Sequence, residues 1–469
     1  MLLLGVAWYT SRNSNNDSFF IGNRNSNWML VAFGMIGTSL SGVTFVSVPG
    51  AVGRDAFSYF QVVIGYFLGY IVIAFVLLPL YYRLNLTSIY NYLSARLGFV
   101  SYKTGASYFI LSRTLGATAR LYLVVKILQD AILTSFGVPF WLTTLIILVM
   151  ILLYTYEGGV KTIVWTDMLQ TTGMLIGLVV CIIYILSTMD LSFSNGLSAM
   201  NEKGYTKIFF TDPGSKFFFL KQILAGAFIT VTMTGMDQEM MQKNISVRTL
   251  KDSQKNMMSF SVIILVVNLM FLFLGGLLYI YAGNLGIKAT GDEIFPTVAL
   301  GHMPPIVSVI FILALISALF PSADGAITAL TSSFCIDIIG MQRRDDWTEA
   351  KKKTMRHQVH IGFAAIFLFF VMVFYQVNNP SMIGVILKVA GYTYGPLLGL
   401  FSFGILTNRQ VNDKLVPIVA IIAPLICFFI DKYQAMLFGS FEIGLELLII
   451  NGLLTFLGLL IISHKPSTA

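Results

Sequence analysis

Six stretches of this chain are close to uninterrupted runs of apolar residues: 61–82, 140–154, 171–187, 260–282, 360–375 and 445–463. Their length is the constraint. A helix needs about 20 such residues to cross the hydrocarbon core of a bilayer, and several of these runs reach or approach that length. The runs do not alternate apolar with polar residues, so they do not read as the strands of a membrane barrel. Only 11% of the residues are charged, against about 25% in soluble domains. A chain of 469 residues with so few charges cannot make a polar shell around a soluble core. The fold class is therefore an all-α protein that crosses a membrane many times.

Thirteen apolar segments can be placed, over 1–9, 28–50, 58–82, 105–133, 139–155, 163–187, 218–241, 258–282, 303–338, 358–376, 381–405, 415–431 and 441–463. Their connections carry positive charge unequally. One alternate set holds Arg12, Arg24, Arg83, Arg96, Lys103, Lys161, Lys243, Arg248, Lys251, Lys255, Arg343, Arg344, Lys351, Lys352, Lys353, Arg356, Arg409, Lys414 and Lys465. The other holds only Arg54, Lys203, Lys207, Lys216, Lys221, Lys288 and Lys432. Cytoplasmic connections are the positive ones, so the first set is expected inside, together with the C-terminus. The formal charge of +8 thus sets orientation, and nucleic acid is not expected as a partner. The expected location is a bacterial inner membrane. The apolar start, Met1 to Tyr9, is too short to span and reads as the tail of a helix; 1–27 is expected to be that partial helix and a cytoplasmic linker. Cys181, Cys335 and Cys427 lie inside apolar blocks, with neither metal spacing nor a disulfide framework.

No nucleotide loop, zinc pattern or nucleophile elbow occurs. The four histidines (His302, His357, His360 and His464) lie mostly near segment ends. An enzyme is not expected, and no obligate protein partner is evident. What the sequence does offer is charge where lipid should be, which is costly and usually functional. Arg113, Arg120, Lys126 and Asp130 share one segment; Asp167, Asp237, Glu239, Asp324, Asp337 and Lys388 lie in others. Plainer readings stand beside these. Arg113, Asp237, Glu239 and Asp337 lie near segment ends that reach water, and Lys126 and Asp130, four apart, share a helix face and pair.

Two segments are interrupted. Gly37-Thr38-Ser39-Leu40-Ser41-Gly42 breaks one apolar helix and Thr232-Met233-Thr234-Gly235-Met236-Asp237 breaks another. Small and hydroxyl residues let the backbone leave helical geometry where it lines a cavity. The alternative is close helix packing through small residues. Paired breaks in corresponding halves are the mark of an inverted-repeat transporter. The expected organisation is a first repeat over 28–187, an outer loop over 188–217, a second repeat over 218–405 and two peripheral helices over 406–469.

Several local patterns, in order, then point to a family. They are Asp17-Ser-Phe-Phe-Ile-Gly-Asn-Arg24, Ser41-Gly-Val-Thr-Phe, the run from Glu157 through Trp165-Thr166-Asp167 to Gln170, Asp237-Gln238, and the Ser/Thr-rich stretch from Pro321 to Asp337. Over nearly its whole length the chain resembles the sodium/solute symporters, which include sodium-coupled sugar, proline and sialic-acid carriers. The resemblance implies a five-plus-five inverted-repeat fold with discontinuous first and sixth core helices, and Na⁺ as the co-transported ion. It implies a sodium site at the carbonyls of Gly37, Leu40 and Ala318 with the hydroxyl of Ser322. The family usually has two adjacent hydroxyl residues there, and here Pro321 replaces one. Asp324 is expected to supply a compensating carboxylate, near the Asp167 that matches a second sodium site in some members. Substrate would meet Ser39, Val43, Gln61, Thr230, Met233, Thr234 and Lys388. If Lys388 faces the pocket it favours an anion such as a sialic or other sugar acid; alternatively it pairs with an acid or reaches the interface. The function implied is sodium-coupled symport of a small polar solute by alternating access. A proton-coupled symporter and a non-transporting sensor on the same fold are the rivals.

Overall fold

A computed structural model of the chain describes residues 2–10, 16–377 and 382–465. Arg12 and residue 381, used above for a charge count and a segment start, lie outside the described residues. The principal helices are α1 (Leu2–Thr10), α2 (Trp28–Ser39), α3 (Gly42–Asp55), α4 (Tyr59–Arg83), α5 (Phe99–Leu128), α6 (Phe140–Thr155), α7 (Gly159–Thr188), α8 (Phe219–Gly235), α9 (Gln238–Ile245), α10 (Leu250–Asn284), α11 (Pro305–Ile339), α12 (Glu349–Val377), α13 (Ile383–Thr393), α14 (Gly395–Leu406), α15 (Val416–Lys432) and α16 (Leu447–Ile461). Among the described residues, six helices are long and apolar enough to cross a membrane singly, and three bent pairs bring the number to nine. The pairs are α2–α3, α8–α9 and α13–α14, bent by 57°, 65° and 45°. α5 has the length to span but carries Lys103, Arg113, Arg120 and Lys126. The protein is a multi-pass integral membrane protein.

Each bend has a local cause. Between α2 and α3, Leu40 takes φ −90° and ψ 76°, which turns the backbone out of the helix. The carbonyls of Gly37 and Leu40 accept no backbone hydrogen bond across the break. Between α8 and α9, the turn Val231–Gly235 widens to a π-helix. Asp237 then restarts the helix as its N-cap, accepting the amides of Glu239 at 2.9 Å and Met240 at 3.3 Å. Such a cap answers donors a helix start leaves orphaned. Tyrosines answer the freed carbonyls: Tyr81 donates to Gly235 O at 2.8 Å and Tyr90 to Met236 O at 2.9 Å.

The third bend departs from the sequence expectation, which placed one uninterrupted helix over 381–405. Pro396 has no N–H for the carbonyl of Tyr392, four residues back. Asn451 of α16 takes over, its Nδ2 donating to Tyr392 O at 2.8 Å and to Gly391 O at 3.0 Å. Gly395 keeps the site open, since a Cβ there would collide with the Asn451 side chain.

The functional region is framed by close helix contacts through small residues, as membrane bundles favour. α7 lies between α2 and α11. A Cβ at Gly34 would stand 3.1 Å from Cβ of Asp167, one at Gly37 3.3 Å from Cγ of Pro321, and one at Gly173 2.6 Å from Oγ of Ser317. Two of the patterns that carried the family resemblance also meet. Gly159 sits at φ +51°, where a Cβ would strike Phe19, and Phe19 is fully buried. The one small ladder among the described residues pairs Gln410–Val411 with Ser463–His464. His360 ties α12 to α6 and α11, with Nε2 2.9 Å from Thr155 Oγ1 and Nδ1 3.0 Å from Thr331 Oγ1.

Candidate functional site

The break in α2–α3 abuts α7 and α11. Gly37 donates its N–H to Thr171 Oγ1 at 3.0 Å, and a Cβ there would collide with that same oxygen while standing 3.3 Å from Cγ of Pro321. Ala318, Pro321 and Ser322 are all buried. Three of the expected sodium residues, Gly37, Leu40 and Ala318, thus lie on elements that meet at this hinge. Ser322 is there too, but its Oγ donates back to Leu319 O at 2.9 Å. Pro321 adds a feature that the residue match did not include: without an N–H it leaves the carbonyl of Ser317 without its helical donor. Sodium is a hard cation that takes oxygen ligands, and the oxygens offered here are chiefly freed backbone carbonyls. Asp324 stands differently from expectation. Its Oδ2 accepts the Tyr154 hydroxyl at 2.7 Å and its Oδ1 accepts the N–H of Gly325 at 2.5 Å, so both oxygens already have protein donors.

Beside the hinge lies a buried cluster of charges from three helices, α5, α7 and α9 with its N-cap. Asp167 of α7 accepts Lys243 Nζ at 2.7 Å and Thr38 Oγ1 at 3.2 Å through Oδ2. Lys243 also donates to Thr38 Oγ1 at 2.6 Å, and Glu239 Oε1 is 3.9 Å from it. Glu239 in turn forms a buried ion pair with Arg113 of α5, whose Nη1 lies 3.8 Å from Asp237 Oδ2. Tyr394, at the third bend, donates to the same Asp237 oxygen at 2.8 Å. Buried charges are tolerable only when paired, and in this cluster each charge has an opposite partner, with contacts that link all three bent helices, although Arg113 Nε, Asp167 Oδ1 and Glu239 Oε1 are left without a hydrogen-bond partner. Lys243 corrects the sequence expectation. It was assigned to a cytoplasmic connection, yet its side chain is 1% exposed. The missed signal was local: Glu239 and Lys243 stand four apart on a segment with no helix breaker, so they share one face.

A cavity opens at the level of the breaks, with about 90 Å³ open to water centres. Ser39, Val43, Thr230, Met233 and Thr234 line it, as expected of substrate-facing positions, together with Tyr59, Tyr66 and Tyr70 of α4 and Asn268 of α10. Asn268 donates to Ile264 O, and its Oδ1 is buried without a partner. Arg113 and Arg120 of α5 reach the same wall. Arg113 is engaged by Glu239 and Asp237. No acid lies within 4.0 Å of the Arg120 guanidinium among the described residues.

Two expected substrate residues do not line the cavity. Gln61 is buried in structural work: its Nε2 donates to Ser58 O and Phe217 O, and its Oε1 accepts Phe210 N, each at 3.2 Å. It pins the 188–217 connection over the α3–α4 junction. Lys388 lies on the far side of α13, 60% exposed and 2.7 Å from Asp431 of α15. The pairing alternative describes it. The anion-binding role expected of Lys388 therefore has no support from its position, and the uncommitted cation at the cavity is Arg120.

Two interrupted helices that meet at a polar mid-bundle cavity define a secondary transporter, with ion and solute sites made by irregular backbone inside a helical bundle. The comparisons agree. The profile of the sodium:solute symporter family matches residues 19–414, and the chain belongs to that family. It is 23% identical to the sodium/sialic acid symporter of Proteus mirabilis, over 97% of this chain and 92% of that one. Its identity to the sodium/sialic acid symporter of Aliivibrio fischeri is 22%, over 90% and 84%. A solved structure of a Na⁺-coupled sialic acid symporter, substrate-bound and outward-open, matches with a TM-score of 0.84 at 19% identity, covering 98% of this chain and 94% of that one. At that identity the likeness shows the shared fold. The protein is a sodium-coupled symporter, and Na⁺ is its co-transported ion.

Proposed function

We propose that the solute is a small carboxylate-bearing molecule, a sugar acid or related organic acid, held in the cavity between the two breaks. The observation that carries this reading is Arg120, a guanidinium on the cavity wall with no acid of its own. Arginine suits such a partner because its planar fork meets both carboxylate oxygens. Asn268 Oδ1 and the hydroxyls of Ser39, Thr230 and Thr234 then offer hydrogen bonds to a polar body, and Val43 and Met233 pack its apolar edge. The two bacterial relatives described above are named for sialic acid, which bears a carboxylate, and others are named for monocarboxylates, multivitamins and iodide.

Transport follows alternating access. Sodium between the freed carbonyls of α2 and the buried face of α11 holds the α2–α3 hinge in the shape that completes the cavity, so ion and solute favour the same state and each raises the affinity for the other. Residues 28–187 and 218–405 form the two repeats that move against each other. The chain resides in a bacterial inner membrane with the Arg343–Arg356 connection and the C-terminus inside, following the distribution of positive charge.

The test is uptake of labelled sialic acid, other sugar acids, neutral sugars and amino acids into proteoliposomes, with and without a sodium gradient. Uptake of at least one acid should require sodium. Loss of one charge-assisted bond at ~1.5–3 kcal/mol in Arg120→Gln should raise its KM about tenfold or more, with Arg120→Lys intermediate. An acid substrate whose KM is unchanged in both variants would remove Arg120 from recognition, and transport of neutral solutes alone would overturn the proposed class.

A further inference from the structure

We propose that the ammonium of Lys243 is a resident cation beside Asp167, so that the chain carries a single transported sodium, at the α2–α11 hinge, and none at Asp167. The proposal rests on the sodium-coupled reading and concerns how many ions that reading allows.

Lys243 Nζ stands 2.7 Å from Asp167 Oδ2 and 2.6 Å from Thr38 Oγ1, with Glu239 Oε1 at 3.9 Å. An ammonium has three donors and no acceptor. It meets here a shell of one carboxylate, one hydroxyl and a second, more distant carboxylate. These are hard oxygens of the kind a sodium ion takes: the ammonium holds Asp167 Oδ2 and the Thr38 hydroxyl, Asp167 Oδ1 and Glu239 Oε1 are buried without a hydrogen-bond partner, and the positive charge already fixed among them is what opposes a second cation. Both side chains are cut off from water, at 1% and 0% exposure. A sodium on Asp167 would sit in contact with a like charge that has no route to solvent.

Three nearby positions of α11 add no open ligand for a second ion. Pro321 has no hydroxyl. Asp324 spends its oxygens on Tyr154 and on the backbone of Gly325. Gly325 lacks a side chain, and the space a Cβ would take is filled by the Glu239 carboxylate. One short helix, α9, accounts for both features. It sends Glu239 against the glycine of α11 and, one turn on, sends Lys243 to the aspartate of α7. Because Thr38 belongs to the break in α2, the tethered cation also joins the two interrupted helices through a single nitrogen. A free ion at that position would couple its own gradient to the hinge. A tethered one holds the same contacts and is never released.

Equilibrium binding of radiolabelled sodium to the purified full chain in detergent, with choline replacing sodium, tests this without a solute. Wild type should bind a single sodium per chain. Lys243→Met, which uncovers Asp167, should gain a second sodium, and the neutral double variant Lys243→Met/Asp167→Asn should return to one. Asp167→Asn alone, as monodisperse protein, should keep the wild-type count of one sodium, whatever the broken pair does to its affinity. Two sodium ions on wild type, loss of the bound sodium in Asp167→Asn, or a monodisperse Lys243→Met that gains none would each overturn the proposal. A wild-type chain that binds no sodium would instead overturn the sodium-coupled reading itself. If Lys243→Met does not fold, wild type and Asp167→Asn still decide the matter.

Discussion

Removing the arginine of the buried Arg113–Glu239 pair should be far worse than removing the glutamate. Arg113 is 4% exposed and faces two fully buried carboxylates, Glu239 in direct contact and Asp237 at 3.8 Å. Lys243 is the one other cation paired in the cluster, and its short contacts go to Asp167 and Thr38. With every carboxyl counted as ionised, Asp167, Asp237, Glu239 and Asp324 outnumber Arg113 and Lys243. Arg113→Met widens that excess of negative charge, whereas Glu239→Gln narrows it and leaves Arg113 with Asp237. Breaking a buried pair from one side costs ~3–5 kcal/mol because the remaining charge stays buried, which is about two to three and a half orders of magnitude in an equilibrium. The double variant Arg113→Met/Glu239→Gln restores the wild-type charge and should recover most of that loss. Thermal inactivation in detergent, read as the monodisperse fraction left after heating, gives the ranking even where unfolding is irreversible. The expected order of loss is Arg113→Met, then Glu239→Gln, with the double variant well short of their sum. Equal losses for the two single variants, or strict additivity in the double, would refute the account, since paired sites must show coupling.

Asn451→Ala should destabilise the protein by ~1–3 kcal/mol, the cost of leaving a buried carbonyl without its donor. Its effect should disappear in the background Pro396→Ala, where the helix regains an N–H for Tyr392; the same heating assay reads both variants. Lys388→Ala removes an exposed pair worth ~0–1 kcal/mol, and should leave both stability and the KM for transported acids near wild type. A KM increase matching that of Arg120→Gln would return Lys388 to the substrate path.

How much of this was legible beforehand differs by kind of feature. The two first breaks could be read because each is spelled out in adjacent residues, small and hydroxyl side chains inside an apolar run. The third could have been: Gly395-Pro396 is an equally local signal, but it was absorbed into a segment whose apolar length alone satisfied the spanning rule. Five of the seven expected cavity residues lie on the two broken helices and do line the cavity. Gln61 and Lys388 lie away from the two breaks read in the sequence, on regular helical turns where spacing does not say which face turns inward. Arg120 was noted as a charge in the membrane but had no assigned partner, because an arginine with no acid beside it is recognised only once the neighbours are in place.

The sequence by itself determined that the chain lives in lipid, where two of its helices must open, and the family to which it belongs. Lipid imposes those demands segment by segment, through the length of apolar runs and the need to satisfy every backbone group. Only the tertiary structure decided which charge meets which. Lys243 reaches Asp167 across 76 residues and Arg113 reaches Glu239 across 126. No periodicity carries such a distance. The packing of α7 and α9 on α11, at Gly173, Gly177 and Gly325 where nothing larger fits, together with α5, brings those four side chains within a few ångströms, and from that follow both the proposed cation position at Asp167 and the arginine proposed to meet the solute.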